Sequence, residues 1–316
     1  MIRCAIAIAA ATCLCAQINL SGVRSGHVAD ESARVLRPVI GMPGAAYLGA
    51  AIPLPFSPVS AQSAAGGLLL VSDMDEAWLA RDLDRAQPSA GKLASASAVF
   101  AAPGASSAVL YASREGAFRL AYGLDKTAAA GPAIDELVLR GTFRTAAIDE
   151  GSGCALLLSL SEAETFLYRL CPARPAEPVL IRAFPAMDIA AAAYSARQGL
   201  LLADRGGSRV VLVRNPVESG ALQTLAAGLP SLAGVQPSGT SHAIAVSADP
   251  ARAWVIDVQG KAAPVPVDLP LPPEKLEFLT PGGILVCNRL REGPLLVIDL
   301  GQDRSPFLIP APWSPE

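Results

Sequence analysis

The stretch LLLAD at Leu200–Asp204, the turn RGGS at Arg205–Ser208 and the run RVVLV at Arg209–Val213 together read as strand, tight turn, strand. Gly206 and Gly207 supply the permissive backbone that a short hairpin needs. The first half of this unit recurs as LLLVS at Leu68–Ser72, AVLYA at Ala108–Ala112, ALLLS at Ala155–Ser159, AIAVS at Ala243–Ser247 and ILVCN at Ile284–Asn288. The six copies begin at positions 68, 108, 155, 200, 243 and 284, so neighbouring starts lie 40 to 47 residues apart. The second half recurs in step, at Ala77–Ala80, Phe118–Ala121, Thr165–Tyr168, Arg209–Leu212, Ala253–Ile256 and Pro294–Val297.

Reading outward adds two further strands to most units. In residues 231–271, Leu232–Val235 is a short first strand and PSGTS at Pro237–Ser241 a turn. Ala243–Ser247 and Ala253–Asp257 follow, and Pro264–Val267 is a fourth strand, whose prolines suit an outer edge where a missing N–H costs little. Other fourth strands are expected near Lys92–Leu93 and at Glu136–Leu139, Pro178–Ile181, Leu222–Leu225 and Pro306–Ile309. Four strands at this period are the mark of a propeller blade. The fold class expected is all-β, a β-propeller of six four-stranded blades over residues 62–316, with seven blades as the alternative. Seven would require residues 35–61 to supply most of a blade, and they hold one clear strand, Val35–Ile40, among Pro-rich chain. That strand is expected to pair in or beside the last blade and so close the ring. The Ala-rich piece Asp188–Tyr194 is assigned to a strand lining a crowded axis, where small side chains fit.

The run Leu200–Val213 resembles the NHL pattern of a strand ending in Ala-Asp, a polar turn, then Arg-Val and an apolar strand. Pro237–Ser247 followed by Trp254–Asp257 resembles the YVTN pattern, as does Leu296–Asp299. The units are therefore similar to those of the NHL/YVTN-type β-propeller repeat superfamily, most crisply in the fourth to sixth. The resemblance implies a fold and no activity, because propellers serve as scaffolds, receptors, lactonases, lyases and dehydrogenases.

The N-terminus has a single Arg3, a run of apolar and small residues and a small-residue cut site after Ala16, so residues 1–16 read as a signal peptide. Cys13 and Cys15 lack the upstream Leu of a lipoprotein anchor. Residues 17–34 are polar and small and read as a flexible leader, and residues 35–316 as a single propeller domain. The protein is expected to be exported, periplasmic or extracellular, with no integral membrane segment once the signal is removed. Net charge is -3 and the arginines are scattered, which argues against nucleic acid as a partner.

Catalytic chemistry is sparse. His27 falls in the leader and His242 in a turn, and both read as solvated loop residues. Asp73, Asp75 and Glu76 form an acidic hairpin turn without the Gly and the later Glu of a calcium loop. Asp149–Gly151 reads as a turn, and no phosphate-cradling glycine pattern or nucleophile elbow occurs. No catalytic, cofactor-binding or metal residue is assigned, and no cofactor is expected. The cysteines permit one sharp inference. If Ser161–Glu164 is the turn, Leu160 faces Thr165, and counting outward brings Cys154 opposite Cys171, within reach of a disulfide in an oxidising compartment. Cys287 is left as a buried free thiol. The leading functional expectation is a non-catalytic, exported scaffold that binds a protein or glycan ligand. The alternative is a lactonase-like hydrolase or lyase with its site at the channel mouth, for which Glu277 and Asp149 are the few polar groups on or beside the first strands. A unit supporting a larger assembly is a third possibility.

Overall fold

The computed structural model describes residues 24–42, 44–85, 88–218, 220–280, 283–301 and 304–312; the expected signal peptide lies outside the described residues. Seven antiparallel sheets follow one another along the chain. Six are the blades foreseen from the repeat. They run from Pro58 to Ser95, Ala98 to Asp135, Thr142 to Pro185, Ile189 to Ala227, Leu232 to Asp268 and Glu277 to Ile309. The seventh precedes them and comprises Arg24–Asp30, Val35–Ile40 and Tyr47–Leu48, with an isolated bridge from Leu36 to Ile52 on its outer side. The protein is thus a seven-bladed β-propeller, and the expectation of six blades is corrected. In chain order, the N-terminal sheet is blade 1 and the six repeats are blades 2 to 7.

The error has a physical origin. Arg24–Asp30 reads RSGHVAD, with one large apolar residue and a glycine, and resembles exposed chain more than a strand. It pairs along its whole length with Val35–Ile40, which is the middle strand of its own sheet and not a partner of blade 7. The pairing slips at Gly26, whose φ of 126° and proximity to blade 7 exclude a side chain: a Cβ there would lie 2.6 Å from Leu279 Cγ. A second local departure is at Glu136–Val138, expected in an outer strand. It forms one 3-10 turn capped by Asp135, and the outer edge of blade 3 is split between Ala129–Ala130 and Ile134–Asp135.

The apolar runs of the second strands follow from the ring. Successive side chains on a strand point to opposite faces, and each blade is covered on both faces by its neighbours, so every position must be apolar or small. Leu69 and Val71 pack toward blade 3, whereas Leu68 and Leu70 pack toward blade 1. Leu200 and Leu202 face blade 4, and Leu201 and Ala203 face blade 6. The described residues form seven buried clusters, one at each interface between adjacent blades, including blade 7 against blade 1 and blade 1 against blade 2. The interface of blades 3 and 4 is the aromatic one, with Phe143 4.8 Å from Tyr111, 5.6 Å from Phe100 and 5.9 Å from Phe118, centroid to centroid.

Blade 1 fills the interval between the last repeat and the first. Val28 and Val39 insert among Leu279, Leu290 and Leu295 of blade 7, while fully buried Leu36 sits on Leu68, Leu70 and Ala80 of blade 2. Replacing Leu36 with Ala should cost about 2–5 kcal/mol of unfolding free energy, measured by urea denaturation, because the neighbouring blades cannot collapse into the void. Leu137→Ala, at a side chain 89% exposed, should stay within about 0.5 kcal/mol of the parent.

Candidate functional site

A central cavity of about 380 Å³ runs between the inner strands, a size typical of small-molecule sites. Its walls come from blades 2 to 7; no described residue of blade 1 reaches it. Blade 1 is excluded because blades 2 and 7 meet directly in front of it. Gln62 Nε2 donates to Glu277 Oε1 at 3.1 Å, and Ser63 Oγ donates to the Leu279 carbonyl at 3.0 Å. Six inner strands therefore line the axis of a seven-bladed ring.

The cavity is two-faced. Blades 4 and 5 line it mainly with small residues, Ala146, Ala147 and Ala190–Ala193, together with Thr145, Glu150 and Tyr194. The Ala-rich strand expected at a crowded axis is where the sequence placed it, in the strand Ile189–Ser195. Blades 2, 6 and 7 contribute the polar wall: Gln62, Gln236, Lys275 and Glu277. These groups are bound to one another and to the backbone. Lys275 Nζ donates to Glu277 Oε2 at 2.5 Å, Gln62 Oε1 accepts from the Ala101 N–H at 2.9 Å, and Gln236 Nε2 donates to the Leu276 carbonyl at 3.0 Å. Glu274, also on the wall, pairs with Arg289 at 3.8 Å and with Arg291 at 3.6 Å. Glu150 lines the cavity from the turn after the inner strand of blade 4. Its side chain reaches solvent, yet partial desolvation at the wall and, second, the charge of Asp149 hold its pKa above the ordinary carboxyl value.

Neither histidine lines the cavity. His242 is on the strand His242–Ser247, with Nδ1 3.0 Å from Ser241 Oγ. His27, expected in an exposed leader, is on the inner strand of blade 1, and its Nε2 is buried with no hydrogen-bond partner among the described residues. Asp73–Asp75 occupies the expected hairpin turn of blade 2, and Glu76 opens the next strand, where it pairs with Lys92. Among the described residues no three His, Cys, Asp or Glu are gathered to hold a metal ion.

The disulfide is in blade 4, and neither of its cysteines lines the cavity. Leu160 pairs with Thr165 and Ala155 with Leu170, so the next position outward sets Cys154 against Cys171, as the register required. The two are bonded, with Cα atoms 4.2 Å apart. The bond clamps the end of the Asp149–Gly153 turn, which is itself closed by Asp149: its carboxylate accepts from the Gly151 N–H at 3.0 Å and the Ser152 hydroxyl at 2.6 Å. Cys287 is the buried free thiol expected, and burial pushes its pKa well above the ordinary thiol value, which leaves it unreactive.

What the sequence could not reveal is the polar wall. Gln62, Gln236 and Lys275 carry no motif, and they meet only because the ring brings chain positions some two hundred residues apart to one axis. Of the polar groups expected beside the first strands, Glu277 reaches the cavity, whereas the carboxylate of Asp149 is committed to its own turn.

No protein-family model matches the sequence, and no curated protein sequence matches it. Solved structures do match. A 6-phosphogluconolactonase-like protein from Bacteroides uniformis superimposes with a TM-score of 0.64 at 12% identity, over 91% of this chain and 97% of that one. Streptogramin B lyase gives 0.59 at 9% identity, over 84% and 87%. Virginiamycin B lyase from Staphylococcus aureus gives 0.58 at 9% identity, over 81% and 85%. These are β-propellers, in keeping with the NHL/YVTN-like resemblance of the repeats. At such identities the likeness concerns the fold alone.

Replacing both Cys154 and Cys171 with Ala should lower stability by about 3 kcal/mol in urea denaturation, the loop-closure value for so short a loop. Reduction of the parent should add the mass of one hydrogen per bonded thiol, and no gain should occur in the double variant.

Proposed function

We propose that this protein is an exported, non-catalytic binding propeller whose ligand occupies the central cavity, and that the ligand is a small neutral glycan. The observation that carries this reading is the pairing of the polar wall. Lys275 with Glu277, and Glu31 and Glu274 with Arg289 and Arg291, cancel one another's charge, and Gln62 is held at both ends of its amide. Groups locked in this way do not supply a free base or nucleophile. They retain spare capacity for ligand hydrogen bonds: the Gln236 amide oxygen, a second hydrogen on Gln62 Nε2 and two further ammonium hydrogens on Lys275. A sugar ring suits a two-faced cavity, with its hydroxyls toward this wall and its C–H face toward the alanines of blades 4 and 5. Export is supported by the disulfide, which persists in oxidising compartments. No described helix is long and apolar enough to cross a membrane.

A second reading rests on one specific observation: three carboxylates, Glu150, Glu274 and Glu277, line the same cavity. Glu150 has no salt-bridge partner among the described residues, and its raised pKa suits a proton donor. This favours a lactonase-like hydrolase or lyase, activities whose names some of the fold neighbours carry.

One experiment separates the two. Neutral mono- and disaccharides are titrated into the protein by calorimetry, and the same preparation is offered sugar lactones and alkyl lactones while acid release is followed. Saturable sugar binding without turnover is the expected result, with affinity reduced about tenfold in Gln236→Ala, the loss of one hydrogen bond at a desolvated site. Lactone turnover that disappears in Glu150→Gln would overturn the non-catalytic reading.

A further inference from the structure

Blade 1 is bound to the ring differently from the others. Toward blade 7 it makes one parallel bridge, Asp30 to Leu290, in which the Glu31 N–H donates to the Leu290 carbonyl at 2.9 Å. The Ser32 hydroxyl donates to the Arg291 carbonyl at 2.9 Å, and Arg289 and Arg291 reach Glu31 at 3.5 and 3.1 Å. Toward blade 2 it makes the ion pairs Arg34–Asp73 and Arg24–Asp84. Arg24 also donates to the Leu83 carbonyl at 3.4 Å, and the remaining contacts between these blades are mainly apolar packing. Because blades 2 and 7 already touch through Gln62 and Glu277, the channel wall does not require blade 1 to be present.

Between blade 1 and that wall is a second, small cavity of about 30 Å³, room for a single water. His27 lines it from blade 1, and Lys275, Glu277 and Arg289 line it from blade 7, the same three residues that line the main cavity from its other side. A proton on His27 would find no free counter-charge there. Arg24, on its own strand, and Lys275 and Arg289 across the cavity carry the same sign. Asp84 is taken by Arg24, Glu31 by Arg289 and Arg291, and Glu277 by Lys275.

We propose that blade 1 is an acid-released wedge: protonation of His27 undocks the strands Arg24–Asp30, Val35–Ile40 and Tyr47–Leu48 from blades 2 and 7 and exposes the back of the channel's polar wall to solvent. Burial, then the charge of Arg24, lowers the pKa of docked His27 against a smaller opposing pull from Asp84. The sign follows from linkage. A histidine whose pKa is depressed in the docked state binds protons more readily once undocked. The docking free energy it permits is complete above the ordinary value of about 6.5 and declines as pH falls below it. The undocking equilibrium should rise by up to about tenfold for each pH unit from there down to the docked pKa. The neighbouring Asp30 titrates in a separate window. Burial opposes its charge, but the Ala33 N–H, Arg37 and Ser32 outweigh that and hold it below the ordinary carboxylate value.

Hydrogen exchange followed by mass spectrometry on the full chain, corrected for intrinsic rates, tests this between about pH 7.5 and pH 5, the range in which histidine changes charge. Exchange in residues 24–40 should accelerate with acid in the parent and in His242→Gln, while Gly199–Asp204 of blade 5 keeps its protection. In His27→Gln the acid dependence should vanish. Protection of residues 24–40 that does not change with pH, or the same acceleration in His27→Gln, overturns the proposal. Should His27→Gln not fold, an NMR titration of the two imidazoles of the parent decides: His27 should titrate below about 6.5, and a value at or above it overturns the proposal.

Discussion

Closing the ring is the constraint on which the rest of this molecule depends. A stack of blades leaves two exposed faces, one on the first blade and one on the last, each as apolar as any internal interface. Among the described residues no strand from one end completes the sheet of the other. The chain spends its first described residues on a separate sheet that presents Val28 and Val39 to blade 7 and Leu36 to blade 2. Asp30 holds that sheet in shape. Its carboxylate is 2% exposed and binds Arg37 Nε at 2.8 Å, the Ser32 hydroxyl and the Ala33 N–H, while its residue makes the bridge to Leu290. A buried carboxylate would be costly alone; with every bond made it fixes the turn that aims blade 1 at blade 7.

The same geometry sets the channel. Since blade 1 stands behind the contact of blades 2 and 7, the axis has six walls and the space to be filled is correspondingly narrow. The small residues Ala146, Ala147 and Ala190–Ala193 of blades 4 and 5 fit that space. On the side where the ring is pinched, Gln62 and Glu277 join two blades that meet in front of blade 1 although the two residues lie 215 positions apart in sequence.

How much of this could be read from the chain depends on whether a feature is local. The blades of the repeat are local: each must bury both faces, so LLLV, ALLLS and LLLAD announce themselves as uninterrupted apolar strands. The disulfide was legible because a hairpin register is arithmetic once the turn is placed. Blade 1 was not legible, because the strand RSGHVAD buries Ser25, Val28 and Asp30 and half-buries His27 where the repeat buries leucines. Glu136–Val138 misled for the opposite reason, an apolar pair that looks like a strand and is in fact exposed. The polar wall was illegible in principle, since no property of Lys275 or Gln236 taken singly indicates that both face the same axis.

A wall whose polar groups already satisfy one another has a consequence for recognition. A ligand entering the cavity gains only the bonds these groups have in reserve, unless it displaces an internal partner, which in a desolvated site costs about as much as it returns. Strong binding to a lone charge is therefore disfavoured, because either ion of a pair would have to abandon its partner. What the wall can offer is a fixed pattern of donors and acceptors on residues anchored to three different blades, with no ordering cost at the moment of binding. Preorganisation of that kind yields selectivity for shape and hydroxyl placement before it yields affinity. Recognition of the proposed kind, fixed and neutral, does not require a group that titrates near neutrality.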